Sequence, residues 1–186
     1  MGAGILPAAI YKNQVYFLFG KENEFEDSAP GFSDFGGGAE KNESYFDTAI
    51  REASEELSGF FGNKEDIKKL LNKYGTYSMD LSQNQSHSIY RMFIFPYEYD
   101  EKLPFYFNNN RKFLRNNLDE NVIKNTTIFE KAEIKWIALK DLKKKRNEFR
   151  HYFRSIIDKV ISEKGDIQKF IFKKLGKKKN TLKNKK

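Results

Sequence analysis

The 186-residue chain carries 34 Lys and Arg against 26 Asp and Glu, a formal net charge of +8, with 39% hydrophobic and 32% charged residues; one folded domain is the expectation for that length. It has no Cys and two His, His87 and His151, which excludes disulfides, thiolate nucleophiles, Cys-ligated zinc and a His-rich metal site. No apolar run approaches the roughly 18–20 residues of a membrane span, and the first ten residues lack the basic region and long apolar core of a signal peptide, so a soluble, intracellular, cytoplasmic protein with no membrane partner is expected. The charge excess is local. Lys173, Lys174, Lys177, Lys178, Lys179, Lys183, Lys185 and Lys186 share a segment without any acidic residue, so a neutral body of residues 1–164 is expected to carry a flexible basic extension over 165–186. Glycosylation-like triplets at Asn42, Asn84 and Asn125 are read as chance matches in an Asn-rich chain.

In chain order, Ile5 to Gly20 reads as two β-prone runs around a polar Lys12-Asn13-Gln14 turn, an antiparallel hairpin. Residues 22–38, with Pro30, Gly31, Gly36, Gly37 and Gly38, read as a long loop. Residues 45–57 form a strong helical pattern and Lys64 to Lys73 a second one. Ser86 to Tyr97 reads as a strand. Residues 98–128 are polar, Asn-rich and aromatic, an insertion with a short helix from Asn109 to Asn117. Glu133 to Leu139 reads as a strand holding the only tryptophan, Trp136. A helical stretch starts at Asp141, and 149–162 has apolar residues at helical spacing. This order of strands, helix, strands, helix predicts an α/β (α+β) domain with a mixed sheet between helices.

The chemistry-bearing segment runs from Gly37 to Gly59. At about 100° per residue, Phe46, Ile50, Ala53 and Leu57 share an arc of about 60°, a core-facing stripe. Glu52, Glu55 and Glu56 occupy a separate arc of about 100° roughly opposite. Clustered carboxylates repel unless they are solvated, paired or neutralised, and hard oxygen donors suit Mg²⁺ or Mn²⁺. A solvated acidic stripe with an Arg51–Glu55 pair accounts for the same three residues.

The spacing Gly37, Glu43, Arg51-Glu52, Glu55-Glu56 resembles the Nudix box, matching its charged positions and first Gly in register. It departs at Ala53, where a bulkier aliphatic residue is usual, and at Ser58, where Gly is usual, with Gly59 one residue late. The resemblance implies an α/β/α sandwich and a hydrolase that cleaves a diphosphate linkage by water attack at phosphorus. It implies Mg²⁺ or Mn²⁺ held by Glu52, Glu55 and Glu56, with the Gly36 carbonyl as a further ligand. Glu43 and Arg51 would hold loop and helix together. For the late acidic ligand or general base the leading choice is Glu130, six residues before Trp136, with Glu55 next and Glu133 and Glu98 behind.

Substrate choice rests on three features. The basic tail and Lys140, Lys143, Lys144, Lys145 and Arg146 suit a polyanion. Phe32, Phe35, Phe105, Tyr106 and Phe107 suit base stacking. The segments from Gly31 to Gly38 and from Phe129 to Trp136 are similar to Nudix enzymes of large DNA viruses that remove mRNA caps. Capped RNA is therefore the first choice, ahead of diphosphoinositol polyphosphates and nucleoside diphosphate derivatives. A non-catalytic RNA- or nucleotide-binding module of the same fold is the reading from another class.

Overall fold

The structure is a computed structural model that describes residues 1–23, 30–82, 89–126 and 130–176. Strands β1 (Gly2–Tyr11) and β2 (Gln14–Glu22) form the expected hairpin. Its turn is two residues long, because Tyr11 already pairs with Gln14. Lys12 and Asn13 take φ of 45° and 61°, the left-handed pair that matches the twist of a tight hairpin.

The glycine-rich segment expected as loop instead contributes β3 (Phe32–Ser33) and β4 (Phe35–Gly38). β4 pairs antiparallel with the start of β1, Gly36 opposite Gly4. A Cβ on Gly36 would lie 2.4 Å from the Gly4 Cα, so a run of glycines here reflects close backbone approach as much as turning. β1 also pairs in parallel with β6 (Ile89–Pro96), and β6 is bordered by β5 (Tyr77–Ser82), a strand the sequence did not reveal. β7 (Lys131–Ala138) pairs with β2. The result is one mixed sheet in the order β3-β2-β1-β6-β5, with β4 on β1 and β7 on β2.

Helices cover both faces, which is why β1 is buried almost throughout. On one face α1 (Tyr45–Glu56), α2 (Lys64–Tyr74) and α3 (Lys102–Asn117) pack through Ala49, Ile50, Ala53, Leu57, Ile67, Leu71, Leu103 and Phe107. On the other, α5 (Arg154–Ser162) and α6 (Lys164–Leu175) pack through Ile156, Ile157, Val160, Ile167 and Ile171. The short α4 (Glu120–Lys124) follows α3. The mixed sheet between helices is as the sequence predicts.

Three expectations change. The insertion helix runs from Lys102 rather than Asn109; Pro104 is no obstacle in a first turn, where its missing N–H has no helical partner, and Leu103, Phe107 and Arg111 at four-residue spacing give the helix a buried side. The helix expected over 149–162 begins at Arg154, because Phe149 bridges to Phe32 and the Arg150 N–H donates to the Phe32 carbonyl (3.1 Å), holding the chain extended there. Residues 165–175, expected in a flexible extension, form α6, whose Ile167 and Ile171 are fully buried. The hydrophobic period of α6 is masked in the sequence by its neighbouring lysines. Residues 177–186, His87, Asn84 and the start of the strand expected from Ser86 lie outside the described residues.

Candidate active site

Helix α1 starts at Ser44, whose hydroxyl accepts from the Asp47 N–H (3.2 Å) and donates to the Asp47 carboxylate (2.6 Å). Small Ala49 and Ala53 on its buried face let it lie close against β1 and β4. The approach is tight at Gly37, where a Cβ would fall 2.5 Å from Glu52 Oε1. The unusual Ala53 is thus a fitted position, and the Glu52 carboxylate rests on the β4 backbone.

Arg51 organises the outer half of the site. Its Nε donates to Glu43 Oε1 (2.8 Å), and Nη2 donates to Glu43 Oε2 (3.1 Å) and the Gly38 carbonyl (2.8 Å). It also pairs with Glu52 (3.0 Å) and Glu55 (3.1 Å). Glu43 accepts further from the Glu40 N–H (2.9 Å) and the Thr48 hydroxyl (3.1 Å). The Arg51 hydrogen bonds and the Glu40 N–H hold Glu43 down at about 2, and Glu43 in turn raises Arg51. Burial pushes Glu52 up, with Arg51 opposing it.

The inner half contains residues that the sequence reading missed. Glu56 is buried and lies 3.0 Å from the Lys131 ammonium, which is itself fully enclosed. Lys131 also contacts Glu22 and donates to the Ser33 hydroxyl (3.0 Å), and Arg150 pairs with Glu22. Asp34 is buried beside them and accepts from the Tyr90 hydroxyl (2.9 Å). A bulge explains how Lys131 arrives: Lys21 pairs with Glu133 but Glu22 with Lys131, so one extra residue turns Lys131 onto the face of Glu22. Burial raises Asp34 to about 7 and Glu56 well above the ordinary carboxyl range, with Lys131 opposing both. Burial works against the charge on Lys131, but Glu56 and Glu22 outweigh it and hold the ammonium protonated. Only the polar character of 33–34 within an apolar stretch, and a Lys at the foot of a strand, signalled this cluster.

Glu43 and Arg51 stand together as expected. Glu52, Glu55 and Glu56 do not converge on one solvated face. At about 100° per residue Glu56 is about 60° from Ala53, so it turns into the sheet, while Glu55 is about one-third exposed. Among the described residues no group of three acidic or His side chains is close enough to share a metal ion; Arg51 and Lys131 hold the carboxylates apart. The donors nevertheless suit a hard cation. Glu56 Oε2 is buried with no hydrogen-bond donor among the described residues, and Glu22, Asp34 and Glu56 face two cations, Lys131 and Arg150, which leaves one carboxyl to be balanced by a proton or a metal.

The remaining candidates separate. Gly36 sits in β4 beside Gly37. The Glu130 carbonyl accepts from the Asn23 N–H (2.9 Å), and its chain neighbour Lys131 is the side chain that enters the inner cluster. Glu133 pairs with Lys21 on the surface (3.8 Å), and Glu98 lines a cavity at the hairpin tip. Of the aromatic candidates, Phe32, Phe35 and Phe107 are core residues, whereas Phe105 and Tyr106 are exposed. Lys145 pairs with Glu148 and Arg146 with Asp158. Ser58, at the box position that is usually Gly, takes a left-handed φ of 47°, and its hydroxyl accepts from Arg111 Nη2 (2.6 Å).

No family model and no curated protein matches the chain by sequence. By structure it is similar to an Ap4A hydrolase of C. elegans, with a TM-score of 0.52, 13% identity, and 89% of this chain and 99% of that one covered. It is also similar to the Nudix hydrolase RenU of M. smegmatis, with a TM-score of 0.51, 12% identity, and 90% and 87% covered. The chain has the Nudix fold.

Proposed function

We propose that the chain is a divalent-metal-dependent hydrolase that cleaves a diphosphate linkage. The observation that carries this reading is the state of the box: its Arg51 clamps Glu43, Glu52 and Glu55, while Glu56 is delivered to the interior with one oxygen lacking a donor. Glu52, Glu55 and Glu56 would hold Mg²⁺ or Mn²⁺, with the Gly36 carbonyl and Glu130 as further ligands. Bound there, the metal supplies neutralisation of phosphate oxygens and a more acidic water.

The protein's own groups do the rest. Glu43 and Arg51 fix the end of β4 against α1, so that Glu52 stays seated against the glycine backbone where the diphosphate would lie. Glu55, partly open to solvent, or Glu130 takes the proton as water attacks phosphorus and the anhydride P–O bond breaks. Lys131 offsets the buried charge of Glu56 whenever that carboxylate is ionised.

Capped RNA is the substrate we favour. Phe105 and Tyr106 are exposed on α3 and available for base stacking, and the chain carries eight more basic than acidic residues. The test is release of methylated guanosine diphosphate from cap-labelled RNA in Mg²⁺ or Mn²⁺, comparing the intact protein with Glu56→Gln. Release by the intact protein, reduced about 10²-fold or more in Glu56→Gln, is expected. Hydrolysis only of small nucleotides or diphosphoinositols would keep the chemistry and remove RNA. RNA binding without turnover of any of these would make the chain a binding module.

A further inference from the structure

The insertion helix α3 builds a second polar feature next to the box. Arg111 is buried on α3 and stacks on Phe107 with its guanidinium carbon 4.5 Å from the ring centroid. Its Nη2 reaches the Ser58 hydroxyl, which donates in turn to the Glu55 carbonyl (3.1 Å). This ties α3 to the end of α1 that carries Glu55 and Glu56. Asn108 fixes α3 to β7 in both directions, donating to the Ile134 carbonyl (3.2 Å) and accepting from the Ile134 N–H (2.8 Å).

Between these anchors lies a cavity of about 370 Å³ that Arg111, Lys112 and Arg115 line together with the amides of Asn23, Asn108 and Asn116. Its size is at the small end of the range for small-ligand sites, about 300–1,000 Å³. Two of its lining residues, Asn23 and Ala132, are chain neighbours of Glu22 and Lys131 in the inner cluster. Burial pulls the Arg111 guanidinium down to about 10, as expected of a charge that the protein solvates less well than water does. Three cationic side chains along one wall are a lining suited to an oxyanion.

We propose that this cavity takes an anionic group of the substrate, a phosphate beyond the diphosphate that is cleaved. The proposal rests on the hydrolase reading and narrows it to substrates with more than two phosphates, which excludes a bare diphosphate bridge as the preferred case. Arg111 forms the cavity's fixed inner wall. Lys112, exposed, and Arg115, half-exposed, form its mouth.

Two measurements test it with the full chain and a Lys112→Glu/Arg115→Glu variant, whose melting temperature shows whether it has folded as the parent does. The first is calorimetric binding of inorganic tripolyphosphate without divalent metal, with Glu56→Gln as a control. The parent and Glu56→Gln are expected to bind alike, and the double variant at least tenfold more weakly. Equal binding by the parent and the double variant would overturn the cavity assignment. The second compares turnover of a dinucleoside tetraphosphate with that of ADP-ribose, which has only two phosphates. The KM for the tetraphosphate is expected to rise about tenfold in the double variant at unchanged kcat, with ADP-ribose within twofold; an equal change on both substrates would overturn the narrowing. If no substrate is turned over by the parent but the tenfold binding difference stands, the hydrolase reading fails and the anion site remains. Lys112→Arg/Arg115→Lys, which keeps the charges, is expected to restore binding to within threefold.

Discussion

Arg51 meets Glu43, Glu52, Glu55 and a β4 carbonyl at once, so the outer half of the site stands or falls with one side chain. Replacing it with Met leaves three acidic groups facing one another, and a loss of about 1–3 kcal/mol is expected, read from the shift in urea midpoint at constant slope. Arg51→Lys keeps the charge without the fork and should recover only part of that loss. Glu43 adds a pH signature. Its folded pKa of about 2 lies below the ordinary 4.5, so its stabilising contribution is complete above about 4.5 and disappears as pH falls through about 2. Glu43→Gln should therefore melt below the parent at neutral pH, and the gap should close across that acid window. A constant gap down to about pH 2 would show that Glu43 does not act through its charge. Both residues were legible in the sequence because the box fixes their spacing; Lys131, its partner Glu22 and Asp34 were not, because about a hundred residues of chain separate Lys131 from the other two and its meeting with Glu22 depends on a bulge.

At the level of elements, β4 and α6 are among those that pattern reading misplaced. Three consecutive glycines normally signal a turn, but here the segment is a strand pressed against Gly4. Gly36→Ala would put a methyl 2.4 Å from that Cα. Soluble yield and melting temperature should both fall, and Gly38→Ala, with open space around its Cβ position, should be tolerated. α6 closes the second face of the sheet through Ile167 and Ile171. Ile171→Ala is expected to cost about 2–5 kcal/mol in chemical denaturation. Truncation after Gly176 should leave the melting transition in place, whereas truncation after Lys164 should abolish it. α1 was readable because its apolar stripe and its carboxylate arc agree with one another, and agreement among local signals is what makes an element legible.

At the level of the molecule, the charge excess of +8 is carried largely beyond the last described helix: six of the lysines lie in 177–186. If the substrate is RNA, deleting those ten residues should weaken its binding at low salt and flatten the salt dependence by about 0.7 in slope for each phosphate that the tail no longer neutralises, leaving a small dinucleotide substrate unchanged. Unchanged RNA binding at every salt concentration would remove the tail from substrate recognition. Lys173 and Lys174 belong to α6, so a truncation at 173 would damage the helix and blur the comparison. The sheet meanwhile divides the domain into two cores; α1 with the box and α3 pack on one of them, whereas Tyr90, which holds Asp34, packs against the other.

The sequence by itself determined the helix that bears the box, the hairpin and the mixed sheet between helices, because periodicity and turn chemistry are properties of short stretches of chain, and the resemblance of the box implied the Glu43–Arg51 clamp. Tertiary structure alone decided which carboxylates are buried and which solvated, since burial depends on what packs opposite. It decided that Lys131 and Arg150 would balance Glu56 and Glu22, that Ser58 would join α1 to Arg111, and that a glycine run would be a strand. Those interactions bring together residues far apart in the chain, and their energies come from desolvation and shared charge, which no local pattern encodes.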